Sequence, residues 1–132
     1  FTVPGVPVGK ARPRFVRATG RAYTPAKTVS YEGQIAQYAA IAMVGREPLL
    51  GPVRLFIEAT FPKPASWSKK RAAEMLWHTA KPDGDNLLKA TSDALNGIAW
   101  RDDAQVCSAQ VIKRYSNDGS AWLRVTIEPM GE

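Results

Sequence analysis

The chain has 132 residues, 45% of them apolar and 23% charged, with a formal net charge of +6. That length makes one domain with its own core rather than two, and the composition excludes a disordered or fibrous chain. No apolar run reaches the roughly 18 residues of a membrane span and no signal-peptide pattern opens the chain, so a cytoplasmic domain covering 1–132 is expected. The chain starts at Phe1 without a methionine, and a few further native residues are expected ahead of it.

The charge is localised. Lys10, Arg12, Arg14, Arg17, Arg21 and Lys27 precede the first acid, Glu32, and the remaining 12 basic and 12 acidic residues cancel. A basic arm of this kind, spanning about 9–24, is the electrostatic footprint of a nucleic-acid partner, against the plainer reading of a solubilising segment. The lone Cys107 excludes an internal disulfide or a cysteine-rich zinc site, and its apolar-alternating surroundings predict a buried, inert thiol.

In chain order, Phe1 to Val8 is interrupted by Pro4 and Pro7 and reads as an edge strand at best. Arginines then surround Phe15 and Tyr23, with a turn at Thr19-Gly20. Thr24-Pro25 reads as a helix cap followed by proline at the first helical position, with Tyr31, Ile35, Tyr38 and Ala42 as the buried stripe and Gly45 as the stop. Val53 to Phe61 alternates as a strand with one face buried. Ser66 or Ser68 caps a short helix running to Trp77, and Lys69, Lys70 and Arg71 at its start form a second basic cluster that suits phosphate contact or a solvated face. His78 reads as polar surface. Val106 to Tyr115 and Ala121 to Glu128 read as two strands of a hairpin turning at Ser116 to Gly119. The fold class is α+β, a single domain with a largely antiparallel or mixed sheet covered by helices on one face.

The segment from Lys81 to Val106 holds five of the six aspartates. Asp83 and Asp85, separated by Gly84, project to one side of an extended backbone, a geometry that suits a hard divalent cation. Asp85 is placed to cap a helix from Asn86 to Asn96, with Leu87, Thr91, Ala94, Leu95 and Ile98 on its buried face and Gly97 past its end. Lys89 lies one turn beyond Asp85, within reach of a phosphate or an attacking water, and Asp93 one turn further, placed to hold Lys89. Only one of Asp102 and Asp103 is expected to join the pair, since neighbours in an extended chain point apart. Clustered carboxylates repel, and a bound Mg²⁺ or Mn²⁺ relieves that while serving phosphodiester hydrolysis. Alone, Asp-Gly-Asp-Asn also spells a turn and a helix cap.

Lys81-Pro82-Asp83-x-Asp85-Asn86-Leu87-x-Lys89, followed by Asp93-Ala94-Leu95 and Asp102-Asp103-Ala104-Gln105-Val106, closely resembles the RusA family of Holliday junction resolvases, found largely in phages and prophages. The arm from Gly9 to Pro25 is similar to phage-type members. The resemblance implies a homodimeric, magnesium-dependent endonuclease that cuts branched, four-way DNA by paired nicks, acting in a bacterial host. It implies metal-binding carboxylates at Asp83, Asp85 and Asp103, selects Asp103 over Asp102, and makes Lys89 the catalytic lysine. Lys10, Arg12, Arg14, Arg17, Arg21, Lys69, Lys70 and Arg71 are the expected DNA contacts. The alternatives from other classes are a non-catalytic nucleic-acid-binding protein and a metal-dependent phosphohydrolase of small nucleotides, the latter gaining little from a long basic arm.

Overall fold

The computed structural model describes residues 1–10, 14–16, 21–23 and 26–131. Its elements are β1 (Thr2–Pro4), β2 (Arg14–Val16), β3 (Arg21–Tyr23), α1 (Ala26–Ala42), β4 (Val53–Phe61), α2 (Lys69–Glu74), α3 (Gly84–Leu95), a 3-10 turn (Asp103–Gln105), β5 (Val106–Tyr115) and β6 (Trp122–Pro129). This is the expected α+β domain. No described helix is long and apolar enough to cross a membrane.

The main sheet has the order β1-β6-β4-β5, and β2 pairs with β3 in a separate antiparallel ribbon. The Thr19-Gly20 turn and the Thr24-Pro25 cap lie outside the described residues. β6 runs antiparallel to both β1 and β4, whereas β5 runs parallel to β4. β5 and β6 are therefore not the hairpin that the Ser116 to Gly119 turn predicts. The turn reverses the chain, but Ser116 N–H donates to the Phe61 carbonyl at 2.8 Å, so the connection arches over the end of β4. Stepping across one strand requires about 10 Å, within reach of six linking residues. Local turn chemistry dictates the reversal and says nothing about the partner.

Alternation along β4 sends Val53, Leu55, Ile57, Ala59 and Phe61 into the core, where they meet Ile35 and Ala39 of α1 and Leu87, Ala94 and Leu95 of α3. Tyr38 and Ala42, expected in the α1 stripe, are exposed. The buried line instead runs through Thr28, Tyr31, Ile35 and Ala39, a spacing of three to four residues that starts one turn earlier. The opposite face of the sheet carries no helix among the described residues and is tied by Arg114 to Glu58 at 2.7 Å and Arg54 to Glu128 at 3.6 Å.

Three local expectations change. Cys107 is exposed, because a register shift after Val53 leaves it between the Val53–Val106 and Arg54–Ser108 pairs on an edge strand. α2 stops at Glu74, and Leu76 and Trp77 are exposed in extended chain that bridges to Arg114. His78 is not surface: it is 8% exposed and stacks on Phe61 with ring centroids 3.7 Å apart and 13° between planes. A stacking partner at the end of β4 is a tertiary effect that no local pattern reports.

Burial, and secondarily the charge of Lys113, lowers the His78 pKa below its ordinary 6.5. The folded state thus favours the neutral ring, and its contribution is complete above 6.5 and lost as pH falls through the lower folded value. Urea-unfolding midpoints should drop between pH 7 and pH 5. His78→Phe, which keeps the stack, should flatten that drop; an unchanged pH dependence would show that His78 is not its source.

Candidate active site at the start of α3

α3 has a strongly one-sided pattern, with Leu87, Ala90, Thr91, Ala94 and Leu95 buried. Its cap is Asp83 rather than Asp85: Asp83 has extended backbone (φ −67°, ψ 151°), and its carbonyl accepts from Asn86 and Leu87 N–H at 3.1 Å. Asp85 sits in the first turn, where a carboxylate faces the positive end of the helix dipole. The shared side of an extended strand is therefore not what unites the pair. Gly84 accepts helical geometry and moves the start two residues earlier.

The Asp83 side chain makes no capping hydrogen bond. Asp83 and Asp85 are both exposed and line one open cavity of about 830 Å³ with Val6, Pro7, Val8, Gly9, Lys10, Lys81 and Asn86. Lys89 is exposed one turn on and has no ion pair among the described residues.

The N-terminal chain forms one wall of this cavity by close backbone approach. Lys10 N–H donates to the Asn86 carbonyl at 2.9 Å. Gly9 lies so near the turn that a Cβ there would stand 2.7 Å from Pro82 Cβ and 3.1 Å from Asn86 Cβ. The Lys10 side chain then closes a clasp, with Nζ 2.8 Å from Glu32 of α1 and 3.3 Å from Asp93 of α3. The bond to Glu32 raises the Lys10 pKa above its usual value. Lys10, expected at DNA, already has its charge matched within the fold. Asp93 pairs with Lys10 and not with Lys89, which corrects the role expected for it.

Asp102 and Asp103 stand elsewhere. Asp102 caps the 3-10 turn, accepting from Ala104 N–H at 2.9 Å in a reciprocal box with Gln105. Gln105 in turn donates to the Leu49 and Gly51 carbonyls at 2.8 and 2.9 Å. Asp103 Oδ1 accepts from Trp100 Nε1 at 2.9 Å, and the Trp100 ring is wholly buried. Both aspartates follow the C-terminal end of α3, and the 12 residues of that helix span about 18 Å. The sheet gives the same separation: Gly84 contacts Val111, while Asp103 precedes Val106, five strand residues or about 17 Å away. Within one chain the expected trio is thus divided. Among the described residues no three His, Cys, Asp or Glu side chains are grouped to hold an ion.

Two further basic features are α2 and the arm. Arg71 lies over the Trp67 ring at 4.6 Å, and Trp67 meets Tyr115 edge-on at 4.9 Å, so α2 with exposed Lys69 and Lys70 packs against the carboxyl end of β5. Arg14 and Arg21 fall on β2 and β3, whereas Arg12 and Arg17 lie outside the described residues. The sequence reading missed Lys113. Its Nζ donates to the Ala80 carbonyl at 2.7 Å; burial lowers its pKa, and the charge of Asp83 opposes that shift. Only the pairing of β5 beside β4, absent from local sequence, brings it there.

Exposed carboxylates without an ion pair among the described residues, at a helix start with a lysine one turn on, in a chain with a basic arm, suit one class: an enzyme that cleaves phosphodiesters in nucleic acid. The family model "Endodeoxyribonuclease RusA" matches residues 4–128, and the chain belongs to that family. It is a DNA endonuclease of the Holliday junction resolvase kind. The chain is also similar to the uncharacterized protein YqaN of Bacillus subtilis (strain 168), 37% identical over 129 residues that cover 89% of this chain and 88% of that protein.

The wall built by Gly9 is testable. Gly9→Ala should cost about 1–3 kcal/mol of stability, as overpacking does, and reduce cleavage by displacing the turn that carries Asp83. Gly33→Ala, with nothing within 4 Å of the added Cβ, is the control and should be neutral or stabilising by up to about 1 kcal/mol. Equal melting temperatures for the two variants would contradict the packing argument.

Proposed function

We propose that the protein is a homodimeric, magnesium-dependent resolvase that cuts four-way DNA junctions by paired symmetric nicks, with manganese able to replace magnesium. The observation that carries this reading is the pair Asp83 and Asp85, exposed, without an ion pair among the described residues and lining one cavity at the start of α3. Hard carboxylate oxygens suit magnesium, which keeps several waters and binds through one or two protein carboxylates plus substrate phosphate. Asp83 and Asp85 would hold the ion, which activates water and offsets charge on the departing oxygen.

Lys89, one turn further, contacts the phosphate under attack. Arg12, Arg14, Arg17 and Arg21 of the arm and Lys69, Lys70 and Arg71 of α2 hold the DNA backbone, a sequence-independent grip that suits recognition of branch shape. Asp103 is the third carboxylate. Because α3, about 18 Å long, lies between it and the pair in its own chain, it serves the site of the second protomer. Two-fold symmetry then presents two equivalent sites to strands of opposite arms, which yields paired cuts.

Shared sites make a specific expectation for mixed dimers. Asp83→Asn and Asp103→Asn homodimers should each fail to cut with magnesium while still binding junctions. A heterodimer of the two, isolated with two different tags, places both lesions in one site and leaves the other intact, so it should nick one strand without resolving the junction. A heterodimer with no nicking activity would mean that each site is built within one chain, and an Asp103→Asn homodimer that still cuts would mean that Asp103 is not part of it.

A further inference from the structure

The placement of Lys113 is unfavourable on local grounds. Lys113 pairs with Ala59 near the carboxyl end of β5, two residues beyond Val111, and so shares Val111's face of the sheet. Val111 lies against Gly84, the first residue of α3. The Lys113 side chain therefore comes up beside the N-terminus of that helix, where the dipole opposes a cation. Two bonds fix it there: its carbonyl accepts from His78 N–H at 3.2 Å, and its Nζ donates to the Ala80 carbonyl at 2.7 Å. An ammonium has three donors, and the Ala80 bond uses one. No carboxylate of the described residues lies within ion-pair distance of it, and Asp83 is the acid whose field it feels.

We propose that Lys113 is a phosphate-binding lysine of the Asp83–Asp85 site, whose charge offsets Asp83 in the unliganded protein and turns to a DNA phosphate when a divalent cation occupies Asp83. This rests on the nuclease reading of the acidic pair. A lysine so placed opposes the cation alone, since two positive charges then share one carboxylate. It favours cation and phosphate together, since the phosphate is an anion for both. Metal and junction are thereby coupled through one side chain, each raising the affinity for the other. Lys89, by contrast, is exposed on α3 with no tether among the described residues.

The test neutralises the charge while keeping a donor for Ala80. For Lys113→Gln, Mn²⁺ affinity without DNA, read by electron paramagnetic resonance, should rise about three- to tenfold as repulsion is removed. Affinity for an intact four-way junction in Ca²⁺, read by fluorescence anisotropy, should fall by a similar factor, and Lys113→Arg should return both toward wild type. A purely structural lysine would weaken both on substitution, so any result other than opposite shifts overturns the proposal. If wild-type protein shows no Mn²⁺ binding that Asp83→Asn abolishes, the reading of the acidic pair fails and takes this proposal with it. Because a neutral variant can lose stability, the wild type supplies a second measurement: the Lys113 side-chain amine resonance must move on adding Mg²⁺, and an unmoved resonance also overturns the assignment.

Discussion

The acidic end of the molecule depends on the docking of the N-terminal chain onto the start of α3. Gly9 against Pro82, Lys10 N–H on the Asn86 carbonyl, and the Lys10 ammonium between Glu32 and Asp93 join three parts of the chain at one point. Side-chain exposures of 17% for Lys10 and 19% for Glu32 leave that pair screened less than a surface pair, while Asp93 at 34% lies nearer solvent. Removing Lys10 would leave Glu32 and Asp93 near each other without their shared counter-charge. The clasp fixes α1 and the chain at Gly9 and Lys10 relative to the Asp83 turn.

The electrostatics follow from that geometry. Asp83 and Asp85 are exposed carboxylates at a positive helix end, a position that tolerates negative charge before any ligand arrives. Lys113 arrives from β5, at the carboxyl ends of the parallel pair β4 and β5, the edge at which open α/β sheets characteristically bind ligands. His78, stacked on Phe61 and tilted over Tyr115 at 5.0 Å, forms an apolar floor under the same end and carries the backbone that holds Lys113. Fold and site thus share the segment from Leu76 to Asp85, which explains why it is short of regular structure and yet tied down.

Sequence made much of this legible where the physics is local. Period-two alternation gave β4, one-sided apolar spacing gave α3 with its buried residues, and the run from Lys81 to Lys89 carried the family. What it left unread is tertiary. The pairing of Lys10 with Asp93, the stacking of His78, the exposure of Cys107 and the insertion of β4 between β5 and β6 all depend on partners far along the chain. The cap position was missed for a subtler reason, since Asp83 and Asp85 are equally good caps and only Gly84's place in the helix separates them. Asp103 lies next to Asp102 in sequence, but its distance from Asp83 is set by the length of α3 and by the register of β5.

The central claim is that this acidic pair cuts branched DNA with a divalent ion. It is tested most directly by incubating the protein with an end-labelled four-way junction beside a linear duplex of the same sequence, with and without magnesium. The account predicts symmetric paired nicks in the junction only, and only with magnesium present. Cleavage of both substrates alike, or junction cleavage undiminished in chelator, would contradict it.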